Sequence, residues 1–97
     1  MGVVLHRLVI RDLRSVLAFY TEEVGPRLAN QFYEEFERVV SEGAENPQRF
    51  HRVEGELRRA NLHRFPYHLP YRESAAGVRI LVLRHHRREL EFGIERR

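Results

Sequence analysis

The apolar positions change period twice along the chain. Val3 to Leu5 form a short apolar run cut off by His6-Arg7, which suits an opening strand. From about Leu8 the spacing becomes helical: Leu13, Leu17, Tyr20 and Val24 recur at threes and fours, with Val16 widening the stripe. Asp12 suits the N-cap or first turn of this helix, where the dipole favours a carboxylate. Gly25-Pro26 stops the first helix and starts the next, glycine past an end and proline at a first position. The second helix has the clearest stripe, Leu28, Phe32, Phe36, Val39, Val40 and Gly43, with Glu34 and Arg38 as an i, i+4 pair on the exposed face. Asn46-Pro47 ends it, because a residue before proline resists the α region. So short a connection makes the helices an antiparallel hairpin. Neither buries its stripe on the other alone, so a sheet is expected to cover the remainder.

After a polar loop from Gln48 to Gly55, which contains Phe50 and His51, the period falls to two. Strands are predicted over about Glu56 to Leu62, Tyr67 to Glu73 and Val78 to His86, with a break at Phe65-Pro66-Tyr67 and a turn at Ser74 to Gly77. Pro70 is at odds with the middle strand, since proline is confined to edges and bulges. Val78, Ile80 and Val82 share one face of the last strand, while Leu81, Leu83 and His85 share the other. Two apolar faces place that strand near the sheet centre. The expected fold class is α+β, an N-terminal strand and an antiparallel two-helix hairpin packed on a small antiparallel β-sheet, as one domain over residues 1–97.

Composition narrows the chemistry. Ninety-seven residues support one core, burying roughly two-thirds of the unfolded surface. Cysteine is absent, which excludes disulfides and thiolate metal sites. No apolar run approaches the roughly 20 residues of a membrane span, and His6-Arg7 interrupts what would be a signal peptide. No membrane partner is expected, and the cytoplasm is the expected location. All 17 basic residues are arginine. The first 48 residues hold 5 Arg against 8 acids, a net of −3, and the remaining 49 hold 12 Arg against 6 acids, a net of +6. A GC-rich genome accounts for choosing arginine over lysine but not for its accumulation in one half. An anionic or acidic partner is the expectation.

Arginine presents a flat, permanently charged fork suited to phosphate and carboxylate. Arg58, Arg59, Arg64 and Arg72 come from the first two predicted strands; Arg79, Arg84, Arg87 and Arg88 come from the last strand and its exit. Several are expected to converge on the face the helices leave open. The competing expectation is a solvated face neutralised by Glu54, Glu56, Glu73, Glu89 and Glu91. His85 and His86 lie among cations that would lower their pKa, which suits a neutral base for a 2′-hydroxyl, with His63, His68 or a raised-pKa Glu56 as the opposing acid. A histidine at a strand end is nevertheless more often structural. Adjacent strand residues face opposite ways, so His85 and His86 cannot share a metal ion. There is no Gly-rich phosphate loop and no nucleophile elbow, so no cofactor, metal or small-molecule ligand is expected.

The order of elements, with Arg64-Phe65-Pro66-Tyr67, His85-x-x-Arg88-Glu89 and Arg96, resembles the RelE/ParE superfamily of type II toxin–antitoxin toxins over nearly the whole chain. Asp12-Leu13 and Tyr20 match its first-helix signature less specifically. The chain departs from it at Leu90, where proline is common, near Gly93, where a large aromatic is common, and at Pro70. The resemblance implies a small α+β toxin neutralised by a cognate acidic antitoxin, a partly disordered segment that folds onto the hairpin groove and the sheet. One branch cleaves mRNA on the ribosome and the other poisons DNA gyrase. The nuclease branch often uses lysines and a terminal Tyr or His, all missing here. Arg64-x-x-Tyr67 matches a basic position of its sites, and a nuclease would rest on Arg64, His85, His86 and Glu56. The Phe-Pro-Tyr and His-x-x-Arg signatures look more like the ParE side, so gyrase poisoning is favoured. Target contacts are then expected from Arg58, Arg59, Arg64, Tyr67, Arg72, Arg84, Arg87, Arg88 and Arg96. A degenerate, non-catalytic binding module is the further alternative.

Overall fold

The computed structural model describes residues 2–75, 77–88, 92–94 and 96. Its elements are β1 (Gly2–Leu5), α1 (Arg7–Glu23), α2 (Pro26–Glu45), β2 (Arg52–Glu54), β3 (Leu57–Asn61), β4 (Tyr67–Ser74), β5 (Gly77–Ile80) and β6 (Arg84–His85). The helices run as expected, with three local corrections. His6 caps α1, its Nδ1 accepting from the Leu8 N–H at 3.1 Å. Asp12 therefore lies in the second turn and is not a cap. On α2 the exposed Glu34 is not the partner of Arg38. Glu35 is, at 3.1 Å, and it is only 2% exposed. Its carboxylate turns inward to accept the Arg64 backbone N–H at 3.2 and 3.3 Å. Val24 ends up 67% exposed at the end of α1, outside the stripe it was read into.

The sheet order is β1-β5-β4-β3-β2, with β6 also paired to β4. All pairings are antiparallel except β1 with β5, which is parallel. The polar loop contributes the short edge strand β2, which its sequence does not announce. One face of the sheet receives Val9, Leu13 and Val16 of α1 and Phe32, Phe36 and Val39 of α2, which pack on Ala60, Leu69, Tyr71, Val78 and Ile80. Phe32 meets Phe65 at 5.0 Å and Tyr67 at 5.3 Å between ring centroids, so the Phe65-Pro66-Tyr67 break is seated in the helical hairpin. On the opposite face Leu57, Leu81 and Val82 are covered by Phe92 and Ile94 of the C-terminal tail. Gly93 (φ +79°) permits that cover, since a Cβ there would stand 2.7 Å from Val82 Cβ.

The predicted strand from Val78 to His86 is broken. Tyr71 pairs with Ile80, but His68 pairs with Arg84, so three residues on the last strand oppose two on β4. This is a bulge with one extra residue, and it lies opposite Pro70. The Pro70 carbonyl accepts from the Leu81 N–H at 3.0 Å. A regular antiparallel ladder would return a bond from residue 70 to the Leu81 carbonyl, and proline has no hydrogen to give. Arg96 Nη1 donates to that carbonyl instead, at 3.2 Å. Leu83 N–H, beyond the bulge, goes to Asp12 Oδ2 at 3.2 Å. Arg96 and Asp12 are themselves paired at 2.7 Å. One ion pair therefore supplies partners to the backbone groups that the proline and the bulge leave over.

Candidate functional site: an arginine face and an arginine-lined cleft

Two adjoining basic surfaces meet at Arg84. The first is the open sheet face. Because Ala60, Leu69, Tyr71, Val78 and Ile80 point to the helices, strand alternation turns Arg59, Asn61, His68, Arg72 and Arg79 the other way. Arg72 and Arg79 sit directly opposite each other on β4 and β5, an arrangement that costs stability for like charges. Neither forms an ion pair or hydrogen bond among the described residues.

Beside them runs a hydrogen-bonded chain. Arg59 Nε donates to Asn61 Oδ1 at 2.8 Å and Arg59 Nη2 to His86 Nδ1 at 3.2 Å. His86 Nδ1 lies 2.8 Å from His68 Nδ1, and Arg84 Nε donates to His68 Nε2 at 2.8 Å. The two imidazoles meet edge to edge, close to coplanar, with centroids 5.0 Å apart. These contacts assign the tautomers. His68 Nε2 accepts, so its proton is on Nδ1 and is donated to His86, whose own proton is on Nε2. Both rings are neutral. Burial holds the His68 pKa down at about 3, helped by Arg59 and Arg84, and burial with Arg59 lowers that of exposed His86.

A pH dependence follows. Between the ordinary histidine pKa and the depressed folded one, the unfolded chain binds the proton that folded His68 refuses. Stability is fully present above about pH 6.5 and is lost as pH falls towards about 3. The slope from this group approaches about 1.4 kcal/mol per pH unit. Thermal melts of the wild type and His68→Gln between neutral and mildly acid pH should diverge in slope, with the variant flatter. Parallel curves would refute the neutral, buried assignment.

The second surface is a cleft of about 480 Å³ between α1, the exit of β6 and the tail. Arg11, Asp12, Ser15 and Val16 form its helical wall; Tyr67, Leu83, Arg84, His85, Arg88, Phe92 and Arg96 complete it. Asp12 accepts from both terminal nitrogens of Arg96, at 2.7 and 3.3 Å. The Arg88 guanidinium carbon lies 4.1 Å above the Phe92 ring and that of Arg96 5.4 Å from it. His85 stands edge-on to Tyr67 at 5.0 Å. Asp12, Tyr67, His85, Arg88 and Arg96, which carried the family resemblance from separate parts of the chain, thus line one cleft.

The remaining singled-out residues are dispersed. Arg58 is on the helix side, its Nε on Glu73 at 2.7 Å and its Nη1 on the Phe50 carbonyl at 2.7 Å, and it serves to anchor the loop before β2. Arg84, expected to contact a target, is buried and bonded to His68 and the Phe92 carbonyl, so it holds the site together from beneath. Arg64 lies against α2, with Nη2 on Gln31 Oε1 at 3.2 Å. Glu56 is exposed in the turn between β2 and β3, and Arg87 is exposed, its N–H donated to His85 Nδ1 at 3.0 Å. His85 and His86 do face opposite ways, one to the cleft and the other to the open face. Arg64, His85, His86 and Glu56 therefore form no single constellation. Of the acids expected to neutralise the arginines, Glu73 pairs with Arg58; Glu89, Glu91 and the side chain of Glu54 lie outside the described residues. Sequence reasoning passed over Arg11, an exposed helix residue with no local signal.

The architecture is that of a small α+β protein whose free chemistry is cationic, a helical hairpin laid across a sheet with an arginine-rich far side. The sequence matches over residues 3–90 the family described as "ParE toxin of type II toxin-antitoxin system, parDE", and the chain belongs to that family. Its fold is similar to a chain of the chromosomal ParDE TA system from P. aeruginosa, with a TM-score of 0.78, 22% identity, and coverage of 88% of this chain and 95% of that one. No curated protein matches the sequence.

Proposed function

We propose that this ParE-family toxin arrests growth by poisoning DNA gyrase and is held in check by an acidic antitoxin. The observation carrying the choice of target is the dispersal just described. A ribosome-dependent nuclease built on Arg64, His85, His86 and Glu56 needs those groups around one phosphodiester, whereas here they lie beside α2, in the cleft, on the open face and in an exposed turn. The antitoxin reading is supported by Arg72 and Arg79, which have no ion-pair partner among the described residues and whose mutual repulsion an acidic segment would relieve. Target contacts fall to the exposed Arg64, Arg87 and Arg88 and the half-buried Arg59. No cofactor takes part. Among the described residues no helix is long and apolar enough to cross a membrane, and a gyrase poison acts in the cytoplasm.

Induced expression with and without the adjacent reading frame tests the toxin–antitoxin pairing. Gyrase supercoiling and ribosome-dependent mRNA cleavage assays, run together on purified protein, test the target. Inhibited supercoiling with intact mRNA is the expected result, and the reverse overturns the gyrase reading. Arg64→Ala combined with Arg88→Ala should abolish growth arrest while the thermal melt stays close to wild type, because both residues are exposed. Undiminished arrest in that double variant would remove arginine contacts from the mechanism.

A further inference from the structure

We infer that the cleft between α1 and the tail is a binding site for a phosphate ester, with Arg11 and Arg88 as its ligand-contacting cations. This goes beyond the choice of target and does not depend on it. The acid within the cleft is already committed, since Asp12 is occupied by Arg96 and by the Leu83 N–H. What remains is mostly donors. The Arg11 and Arg88 guanidinium groups have no carboxylate partner among the described residues. His85 accepts at Nδ1 from the Arg87 N–H, at 3.0 Å, which leaves its proton on Nε2. The Tyr67 hydroxyl makes no hydrogen bond among the described residues. Ser15 directs its own hydrogen to the Arg11 carbonyl, at 3.1 Å. A ligand that fits must bring acceptors and negative charge.

Arg88 is held ready for it. Its guanidinium carbon lies 4.1 Å over the Phe92 ring, a cation–π contact that consumes none of its N–H donors. Phe92 is held in turn by its carbonyl, which accepts from Arg84 Nη1 at 3.2 Å. The shape of the site separates phosphate from carboxylate. A carboxylate has two oxygens in one plane and is satisfied by a single guanidinium fork, as Asp12 is by Arg96. Arg11 and Arg88 approach from different elements, a helix wall and a strand exit, and a tetrahedral oxyanion has oxygens for both. The volume of about 480 Å³ far exceeds one carboxylate, and apolar Val16 and Leu83 offer a floor for the carbon side of an ester.

Calorimetric titration of the full chain at low salt tests this with adenosine monophosphate, a short single-stranded thymidylate oligonucleotide and a glutamate hexapeptide as probes. Arg11→Gln and Arg88→Gln are each expected to weaken phosphate-ester binding roughly ten-fold, the effect of one lost charge-assisted contact. Arg27→Gln, at the far end of the hairpin, should leave it unchanged. Tighter binding of the oligonucleotide than of the monophosphate would identify a phosphodiester chain as the source of the phosphate; the opposite order would identify a free monoester. The proposal is overturned by absence of saturable binding to either phosphate probe, by glutamate peptide binding as tightly, or by wild-type titrations in both cleft variants. Arg11 is exposed on a helix, so Arg11→Gln carries the test by itself.

Discussion

Asp12→Ala is expected to destabilise the fold by about 3 kcal/mol, at the lower end of the cost of removing one partner from a buried ion pair. The side chains of Arg96 and Asp12 are 11% and 12% exposed, so the guanidinium left behind is largely out of water. The Leu83 N–H loses its acceptor in the same substitution, which adds to the penalty. Arg96, once released, no longer holds the Leu81 carbonyl, so the bulge loses both groups that close it. For a domain of this size each kcal/mol moves the midpoint by roughly 4–8 °C, and thermal unfolding followed by circular dichroism would register a large drop. Asp12→Asn should fall between, since its amide oxygen still accepts from Leu83. In a double-mutant cycle with Arg96→Ala, additive losses would show that the two residues do not act as a unit.

That clasp also marks the boundary of what the sequence disclosed. The helices were legible because a period of 3.6 sustained over Arg7–Glu23 and Pro26–Glu45 fits neither a strand nor a loop. The last strand was misread because VRILVLRHH alternates acceptably as one continuous strand, and an inserted residue has no signature of its own. The signal lay across the sheet in Pro70. A proline in a strand with neighbours on both sides implies a ladder bond that is never made, and the bulge is the response. The parallel pairing of β1 with β5 joins residues 75 positions apart, as in Gly2 opposite Gly77, and no local pattern encodes it. The arginine surplus was visible by counting. Which arginines are free was not, because Arg58 is neutralised by Glu73 from the next strand and Arg96 by Asp12 from the first helix. Glu35 shows the same limit, since a helical wheel places it one step from solvent and only the fold brings the Arg64 N–H over it.

Phe32→Ala is expected to cost about 3–5 kcal/mol, the range for deleting a large aromatic from a packed core. Phe32 is fully buried and touches three rings, with centroids 5.0 Å from Phe65, 5.3 Å from Tyr67 and 5.6 Å from Tyr20. A domain of this length holds on the order of 5–15 kcal/mol in total, so the variant would be near the edge of folding. The loss should also spread in a defined direction. Phe65-Pro66-Tyr67 is seated on Phe32, the Pro66 carbonyl accepts the His86 N–H at 2.9 Å, and Tyr67 supports His85. Loosening the seat therefore disturbs both basic surfaces through one turn, although Phe32 borders neither. Denaturant unfolding gives the stability change. Activity per folded molecule then separates this fold-bearing residue from Arg88, whose replacement should remove activity and leave stability. A Phe32→Ala protein that unfolds within about 1 kcal/mol of wild type would mean that the aromatic cluster does not hold the turn.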